Sequence, residues 1–520
     1  MFGRFRRAAA FLLLASSPAA AAGADLAIAP AELARHIEVL AGDDFLGREP
    51  GTQGETLTIA YIASQLQARG LEPAGPEGSW YQPLVAVERR RSGHRVRWTT
   101  ARGRALRFEN SSIVLLGREA HHRIDDARLV FVGHGMVDRE RGIDQLAGAD
   151  LRGAVALMLV EGPAVPGFPS FEERRRAVAE AGPAAVIGIV SDEVPWTTLA
   201  EASERGEHSL DIDMRADVQG EMAAGEIARL VRAAGGDFGR LLNDQPGSSF
   251  RAVRLGLRVS MDVTSEVRRI TTHNVIGRIR GTGGGGESVL LLGHWDHFGL
   301  CGPEGAEDRI CNGAVDNASG IATLIEAAGR LALGARPERD ILVLATTVEE
   351  RGLLGARYFV DRPTVPIGSI AAAVNVDTVA IHGKGEPVAV IGRGIMELDR
   401  AIEATAEALG RTMDRTHAAD AFVQRQDGWA LARKGVPAVM VGGSFANMGL
   451  LQAFLAGDYH SPEDELRTDT PLEGAAEDAD LLVALARRLA TPALYRRPEA
   501  GAARGIAAPD LLDQGGRLGG

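Results

Sequence analysis

Short apolar runs alternate with amphipathic helical segments over the second half of the chain. The apolar runs are residues 289–292, 341–346, 370–376 and 438–441, and the helical segments are residues 318–333, 398–409 and 475–489. A strand that is apolar along its whole length is buried on both faces, which is typical of a parallel sheet covered by helices. The sequence therefore predicts an α/β fold, with a mostly parallel mixed sheet and helices on both faces.

Residues 121–266 have a different pattern, in which short β-like runs are separated by glycine, proline and one charged helical stretch, 171–181. This pattern predicts a small β-rich domain inserted into the chain. Residues 25–120 and 267–496 would then form the two parts of the main domain. Residues 497–520 are rich in Gly, Ala and Pro and are expected to form a flexible tail.

The first residues of the chain have the pattern of an export signal. Three arginines precede an apolar stretch at residues 8–15, and small residues follow as far as Ala22. The apolar stretch is shorter than the roughly 20 residues that span a bilayer. We therefore expect a signal peptide at residues 1–22 and a periplasmic or secreted protein without stable membrane insertion.

Charge and cysteine content exclude several classes of protein. The chain has 57 Lys and Arg against 69 Asp and Glu, a formal net charge of −12, which disfavours binding to nucleic acid. Its two cysteines cannot build a disulfide scaffold or a four-thiolate zinc site. The glycine-rich run at 281–286 lies between two predicted strands and not before a helix, so we interpret it as a flexible connection, not a dinucleotide site.

Histidine and acidic residues follow the predicted strands where each strand ends. One more acid precedes the first long helical segment, and one more histidine lies late in the chain. They are His294, Asp296, Asp316, Glu349, Glu350, Asp377 and His460. Ligands of open α/β sheets bind beyond the carboxyl ends of the strands, so these side chains are expected at one rim. Imidazole and carboxylate groups together suit Zn²⁺, with Mn²⁺ or Co²⁺ as possible substitutes.

These motifs resemble the zinc-dependent aminopeptidases of peptidase family M28 that carry an inserted protease-associated (PA) domain. The resemblance extends over Leu33-Ala34-Arg35-His36, Phe45-Leu46-Gly47-Arg48, Asn274-Val275-Ile276-Gly277 and Tyr459-His460-Ser461-Pro462. It implies two zinc ions per chain, bound in a zinc-peptidase-like fold, and peptide substrates with a free N-terminus.

The resemblance also implies a role for each site residue. His294 and Asp377 would bind one zinc, Glu350 and His460 the other, and Asp316 would bridge both. Asp296 would orient the imidazole of His294. Glu349 would be the general base. In the family, the bridging aspartate precedes a cis peptide bond that does not involve proline, so the same is expected at Asp316-Asn317.

One segment departs from the family pattern. Many relatives have Ser-Asp-His where this chain has Gln426-Asp427-Gly428. These positions are expected near the substrate, so the departure affects specificity more than activity. The expected function is an exported exopeptidase that hydrolyses the N-terminal peptide bond. A metallocarboxypeptidase or dipeptidase, a glutaminyl cyclase and a non-catalytic receptor-like module remain alternatives.

Cys301 and Cys311, the two cysteines of the chain, lie in a glycine-containing loop between His294 and Asp316. Because the protein is expected to be exported to an oxidising compartment, we predict that they form a disulfide. The bridge would stiffen the loop that leads to the proposed metal ligands.

Overall fold

The computed structural model describes residues 27–138, 142–163, 168–244, 250–284, 286–394 and 396–498. The predicted signal peptide and all but the first two residues of the predicted tail lie outside these residues, and both remain predictions. No described helix combines the length and the apolar character needed to cross a bilayer.

The first part of the chain forms two helices and four strands. They are α1 (Pro30–Leu40), α2 (Gln53–Ala68), β1 (Glu72–Pro73), β2 (Tyr81–Thr100), β3 (Ala105–Leu106) and β4 (Ile113–Gly117). Pro30 occupies the first turn of α1, where its missing N–H leaves no hydrogen bond unmade.

The middle part is rich in short strands. Its elements are β5 (His121–Phe131), β6 (Val137–Asp138), β7 (Ile143–Asp144), β8 (Val155–Leu159), α3 (Phe171–Glu180), β9 (Ala185–Val190), α4 (Trp196–Ala202), β10 (Glu207–Leu210), β11 (Val218–Ala223), α5 (Ala224–Ala233), α6 (Phe238–Asp244) and β12 (Val253–Ile279).

The last part alternates strands and helices. Its elements are β13 (Ser288–His294), β14 (Gly299–Leu300), β15 (Ile310–Cys311), α7 (Ser319–Leu333), β16 (Asp340–Thr346), α8 (Leu354–Asp361), β17 (Ile370–Asn375), β18 (Ala389–Ile391), α9 (Met396–Ala408), α10 (Gly428–Ala432), β19 (Ala438–Gly442), α11 (Met448–Ala456) and α12 (Leu472–Leu489). The strands and helices predicted here are confirmed, with ends that shift by at most three residues.

The strand order in this last part is β18-β19-β17-β13-β16-β12. The four central strands β19, β17, β13 and β16 run parallel, and β18 and β12 pair antiparallel at either side. The predicted mostly parallel mixed sheet is therefore confirmed. The carboxyl ends of the central strands lie at one edge of this sheet.

Helices cover both faces of the sheet, as predicted. Val289 and Leu291 of β13 belong to a core shared with α1, α7 and α12, whereas Leu290 and Leu292 belong to a core shared with α8 and α10. All four side chains are fully buried. Burying one such side chain stabilises the fold by about 2 kcal/mol, which explains why β13 is apolar without interruption.

Two long strands connect the sheet of the last part to the middle part. β2 pairs antiparallel with β12 from Tyr81 opposite Val275 to Thr100 opposite Leu257. A separate core surrounds Trp98 and includes Ile113, so it takes in residues that precede the predicted start at 121. β12 also continues through the predicted end at 266, because it stays paired with β2 on both sides of an irregularity between Thr264 and Ser265. The division into domains and the PA identity of residues 121–266 remain predictions.

Candidate metal centre

Three of the five predicted metal ligands lie at the carboxyl ends of the central strands. His294 is the last residue of β13, Glu350 follows β16, and Asp377 follows β17. Asp316 lies just before α7, and His460 lies in the turn after α11. Elements that are far apart in the sequence thus bring imidazole and carboxylate groups to one point.

His294 and two carboxylates form one half of the cluster. The Nε2 atom of His294 lies 3.2 Å from Asp316 Oδ1 and 3.5 Å from Asp377 Oδ1. It also lies 4.0 Å from Glu349 Oε2. His294 and Asp316 are buried, and Asp377 is partly exposed. This half therefore has room for a small ion and faces solvent on the side of Asp377.

His460 and Glu350 form the other half. The Nε2 atom of His460 lies 3.0 Å from Glu350 Oε2 and 3.3 Å from Asp316 Oδ2. Asp316 therefore directs one carboxylate oxygen toward each histidine. A carboxylate that bridges two cations needs this arrangement.

Three buried polar atoms of this cluster lack a hydrogen-bond partner, which is expected where a cation binds. Asp316 Oδ2, His460 Nε2 and His297 Nε2 are buried and have no hydrogen-bond partner. Nearly all buried polar groups in folded proteins are paired, so such a cluster needs an explanation. The ligand atoms of His294, Asp316 and Glu350 lie within 4.8 Å of one another, as do those of His294, Glu349 and Asp377. Nitrogen and carboxylate oxygen donors suit zinc.

The backbone around the cluster adopts unusual conformations. Val348, Thr378 and His460 all have positive φ angles, between 52° and 57°. Such conformations cost a non-glycine residue on the order of 1 kcal/mol or more and are typical of functional sites. They lie next to Glu349 and Asp377 or at a ligand itself, so they turn these side chains into the cluster. The Asp316–Asn317 peptide bond is cis.

Glu349, the predicted general base, is buried among charged groups. Burial raises the pKa of its carboxyl well above the usual range, the imidazole of His294 opposes this, and the charges of Asp427 and Glu350 raise it further. Asp427, buried behind the cluster, accepts a hydrogen bond from the Thr346 hydroxyl. Burial raises the pKa of Asp427 to about 6.

Asp296 lies beside His294, as predicted, but its carboxylate makes a different hydrogen bond. The Oδ1 atom of Asp296 is 3.9 Å from Nδ1 of His294 and accepts a hydrogen bond of 3.1 Å from the backbone N–H of Glu349. The backbone carbonyl of Asp296 is the group closest to Nδ1, at 3.1 Å. Asp296 therefore connects the loop of His294 to that of Glu349, and its orienting role remains a prediction.

Three further residues support the cluster and were not assigned a role from the sequence. His297 is fully buried, and its Nδ1 lies 2.7 Å from Glu350 Oε1. Asp464 accepts hydrogen bonds from the backbone N–H groups of Val315 and Asp316, at 2.9 and 3.0 Å. His297 stands in the same short motif as His294, a signal that could have identified it. Asp464 has no comparable signal.

Arg48 is the third of these residues. Its buried guanidinium donates hydrogen bonds to the backbone carbonyls of Leu40, Trp295, Asn312 and Gly313. Burial lowers the pKa of Arg48 to about 10, so the side chain stays charged at neutral pH. Gly313 has a φ of 57°, and a Cβ atom there would collide with the Asp316 carbonyl and the Arg48 guanidinium. Arg48 thus holds the segments on both sides of the cluster.

Cys301 and Cys311 are paired in a disulfide, with their Cα atoms 5.7 Å apart. The pair connects the small strands β14 and β15. The Sγ atom of Cys301 lies 3.5 Å from the backbone carbonyl oxygen of His460. The disulfide loop therefore contacts the segment that carries a proposed metal ligand.

A small pocket with a cavity volume of about 40 Å³ opens beside Asp377. Its lining is mostly apolar and consists of Asp377, Thr378, Phe422, Arg425, Met440, Phe445, Leu451, Leu455 and Tyr459. The ring of Tyr459 stacks on that of His460, with centroids 3.5 Å apart. The pocket is thus in contact with both halves of the cluster.

Comparisons with known proteins find a match to one family. Residues 274–484 match Peptidase family M28. A protein of Arabidopsis thaliana named "Probable glutamate carboxypeptidase AMP1" is 30% identical over 132 residues, which cover 24% of this chain and 17% of that protein. The chain thus matches less than a fifth of the length of this relative.

Among solved structures, similarity extends over most of the chain at low identity. The aminopeptidase from Aneurinibacillus sp. strain AM-1 has a TM-score of 0.44 and 18% identity, with 91% of this chain and 95% of that chain covered. The zinc aminopeptidase BSAP from Bacillus subtilis has a TM-score of 0.43 and 18% identity, with 92% and 98% covered.

Proposed function

Because residues 274–484 match peptidase family M28, we propose that the chain is a zinc-dependent exopeptidase that removes the N-terminal residue of peptides. One observation carries the proposal: the two carboxylate oxygens of Asp316 face His294 and His460, at 3.2 and 3.3 Å. A structural aspartate would have no need of two imidazoles, one on each oxygen.

The residues present fit two zinc ions. His294 and Asp377 would hold one, Glu350 and His460 the other, and Asp316 both. When bound, zinc ions lower the pKa of a water molecule that they hold toward about 7 and polarise the carbonyl group of the scissile bond. The three carboxylates carry a charge of −3, which offsets most of the +4 charge of two such ions.

Glu349 is proposed to move the proton. Its Oε2 atom lies 4.0 Å from His294 Nε2, farther than the oxygens of Asp316 and Asp377. This position keeps its carboxylate beside the cluster, within reach of an attacking water, without making it one of the nearest ligands. Glu349 would accept the proton of that water and then donate it to the leaving amine.

The charge of the site supports recognition of a free N-terminus. Asp377 lines the pocket and Glu349 lies in the same half of the cluster, so an α-ammonium or amino group of the substrate could bind there. The full set of ligands for two ions disfavours a glutaminyl cyclase, which needs one. A carboxypeptidase or dipeptidase would instead need a cation for the substrate α-carboxylate.

The proposal includes export. It is supported by the signal-like pattern of residues 1–22 and by the pairing of Cys301 with Cys311, because disulfides persist in oxidising compartments.

The role of the inserted residues 121–266 is proposed to be control of access to the site or support of its loops. Arg351, next to Glu350, contacts His208 of this segment at 3.3 Å, which favours support.

Metal analysis and a set of blocked peptides test the proposal. Purified protein should contain two zinc ions per chain, and removing them with a chelator should abolish hydrolysis until zinc is restored. Peptides with a free N-terminus should be cleaved whether or not the C-terminus is amidated, and N-acetylated peptides should not be. Cleavage that requires a free C-terminus would instead identify a carboxypeptidase, and one ion with cyclisation of N-terminal glutamine would identify a cyclase.

A further inference from the structure

We propose that the pocket beside Asp377 binds a substrate side chain that ends in a carboxylate, with Arg425 as the residue that recognises it. The inference rests on the proposed exopeptidase function and names its preferred substrate, a peptide that begins with glutamate. Three features of the pocket support this preference: its walls, its one cation and its position relative to the metal centre.

The walls of the pocket are suited to an aliphatic chain. Phe422 and Phe445 pack edge to face with centroids 5.4 Å apart, and Met440 and Leu451 are buried. These groups offer no hydrogen bonds, so they favour the methylene groups of a substrate side chain. Asp377, a proposed metal ligand, forms part of the same lining. A substrate held at the metal centre can therefore place the side chain next to its scissile bond in this pocket.

Arg425 is the one cation among the lining residues. It is exposed, and its guanidinium lies 5.7 Å from the centroid of the Phe422 ring. Within the described part of the chain, no carboxylate lies within 4 Å of it, whereas Arg411 and Arg415 of the neighbouring segment pair with Asp478 and Glu403. The charge of Arg425 is therefore available to a ligand.

Tyr459 supplies a second donor to the same pocket. Its ring is fixed by stacking on His460, and its hydroxyl has no hydrogen-bond partner among the residues that the structure describes. A guanidinium without a carboxylate partner matches the two oxygens of a carboxylate, and the phenol hydroxyl is a further donor in the pocket lining. A neutral side chain would leave the guanidinium to water and add no charge-assisted contact.

The position of Asp377 decides the length of the preferred side chain. A substrate carboxylate close to Asp377 would be repelled by a like charge, whereas the exposed guanidinium of Arg425 would attract it. Glutamate carries its carboxylate one methylene farther from the backbone than aspartate. We therefore infer that glutamate is preferred over aspartate, and over its neutral isostere glutamine.

The test uses the zinc-loaded full-length protein and three C-terminally amidated tripeptides, Glu-Ala-Ala, Gln-Ala-Ala and Leu-Ala-Ala. We expect kcat/KM for the glutamate peptide to exceed that for the glutamine peptide by about tenfold, the effect of one charge-assisted contact. Arg425→Gln should bring this ratio to about one, and Arg425→Lys should keep part of it. Arg415→Gln is the matched control, because it removes an exposed arginine that lies outside the pocket. It should leave kcat/KM for each peptide, and therefore the ratio, unchanged.

The outcomes separate the inference from the function on which it rests. Cleavage of the leucine peptide with equal rates for glutamate and glutamine would overturn the subsite and leave the exopeptidase intact. A glutamate preference that survives Arg425→Gln would assign recognition to another residue and overturn the role of Arg425. Cleavage only of peptides with a free C-terminal acid would overturn the side-chain subsite in favour of α-carboxylate binding. Absence of any hydrolysis would overturn both proposals.

Discussion

The Nδ1 atom of His297 lies 2.7 Å from Oε1 of Glu350, and the Nε2 atom of His460 lies 3.0 Å from Oε2 of the same carboxylate. Because a carboxylate oxygen accepts, Nδ1 of His297 donates. The hydrogen bond fixes the plane of the Glu350 carboxylate and leaves its second oxygen for the cluster. His297 is thus a positioning residue for a proposed metal ligand.

Removing this hydrogen bond should weaken metal binding. We expect His297→Ala to lower zinc affinity by about 10- to 100-fold, the usual effect of losing a group that orients a ligand. His297→Asn should lose less, because its amide can still donate. Competition with a chromogenic chelator measures both.

His382→Ala is the matched control for His297→Ala. His382 is also a buried histidine that contacts a carboxylate, Asp478, at 3.0 Å, but it lies outside the proposed ligand set. This variant should lose stability and keep its zinc affinity. Equal zinc loss in the two variants would mean that His297 acts through the fold and not through Glu350.

The adjacent acids Glu349 and Glu350 should respond differently to the same substitution. Glu349→Gln should keep both zinc ions and lose several orders of magnitude in kcat, because an amide cannot accept the proton of the water. Glu350→Gln should lose zinc from one position, because a neutral amide replaces an anionic ligand. Metal content and kcat of the purified variants show which of the two acids is the ligand and which is the base. Zinc loss in the Glu349 variant with full occupancy in the Glu350 variant would reverse the two roles.

The sequence predicted the central sheet and the set of clustered side chains, but not what holds them. Strands such as β13 could be recognised because their residues are apolar on both faces, and polar residues at their carboxyl ends indicated the site. The contacts of Arg48 could not be read from its neighbours, because its acceptors lie near Leu40, Trp295 and Asn312. The long pairing of β2 with β12 was missed for a similar reason, since the sequence does not show which strands meet.

Arg48→Lys should be costly although it keeps the charge. Lysine has three donors on one atom and cannot reach carbonyls in several segments at once, as a guanidinium does. Leaving buried carbonyls unpaired should lower the free energy of unfolding by about 3 kcal/mol and also weaken zinc binding. Urea unfolding and chelator competition measure the two effects.

Arg339→Lys provides the comparison for Arg48. Arg339 is also buried and donates to the backbone carbonyls of Leu489 and Tyr495, which lie outside the proposed metal centre. It should lose stability without losing zinc affinity. If Arg48→Lys bound zinc as tightly as the unmodified protein, the role of Arg48 would be limited to the stability of the fold.

Glu326 should make stability depend on pH in the acid range. Burial by itself raises the pKa of its carboxyl, but the hydrogen bond with His36 and the charge of Arg69 outweigh burial and lower the pKa to about 2. The side chain is 2% exposed, so solvent screens these contacts little. Since the folded-state pKa lies below the ordinary value of 4.5, the unfolded chain takes up the proton first as the pH falls. The stability that Glu326 contributes is therefore complete above about pH 4.5 and is lost toward pH 2.

Glu326→Gln should thus lower the free energy of unfolding by about 3 kcal/mol at pH 7, and the difference from the unmodified protein should shrink steadily between pH 4.5 and 2. Urea unfolding followed by tryptophan fluorescence at several pH values measures it. Glu403→Gln, which removes a carboxylate from the exposed ion pair with Arg415, should cost less than about 1 kcal/mol at every pH. A loss in the Glu326 variant that stayed constant down to pH 2 would show that the side chain stabilises the protein by packing and not by its charge.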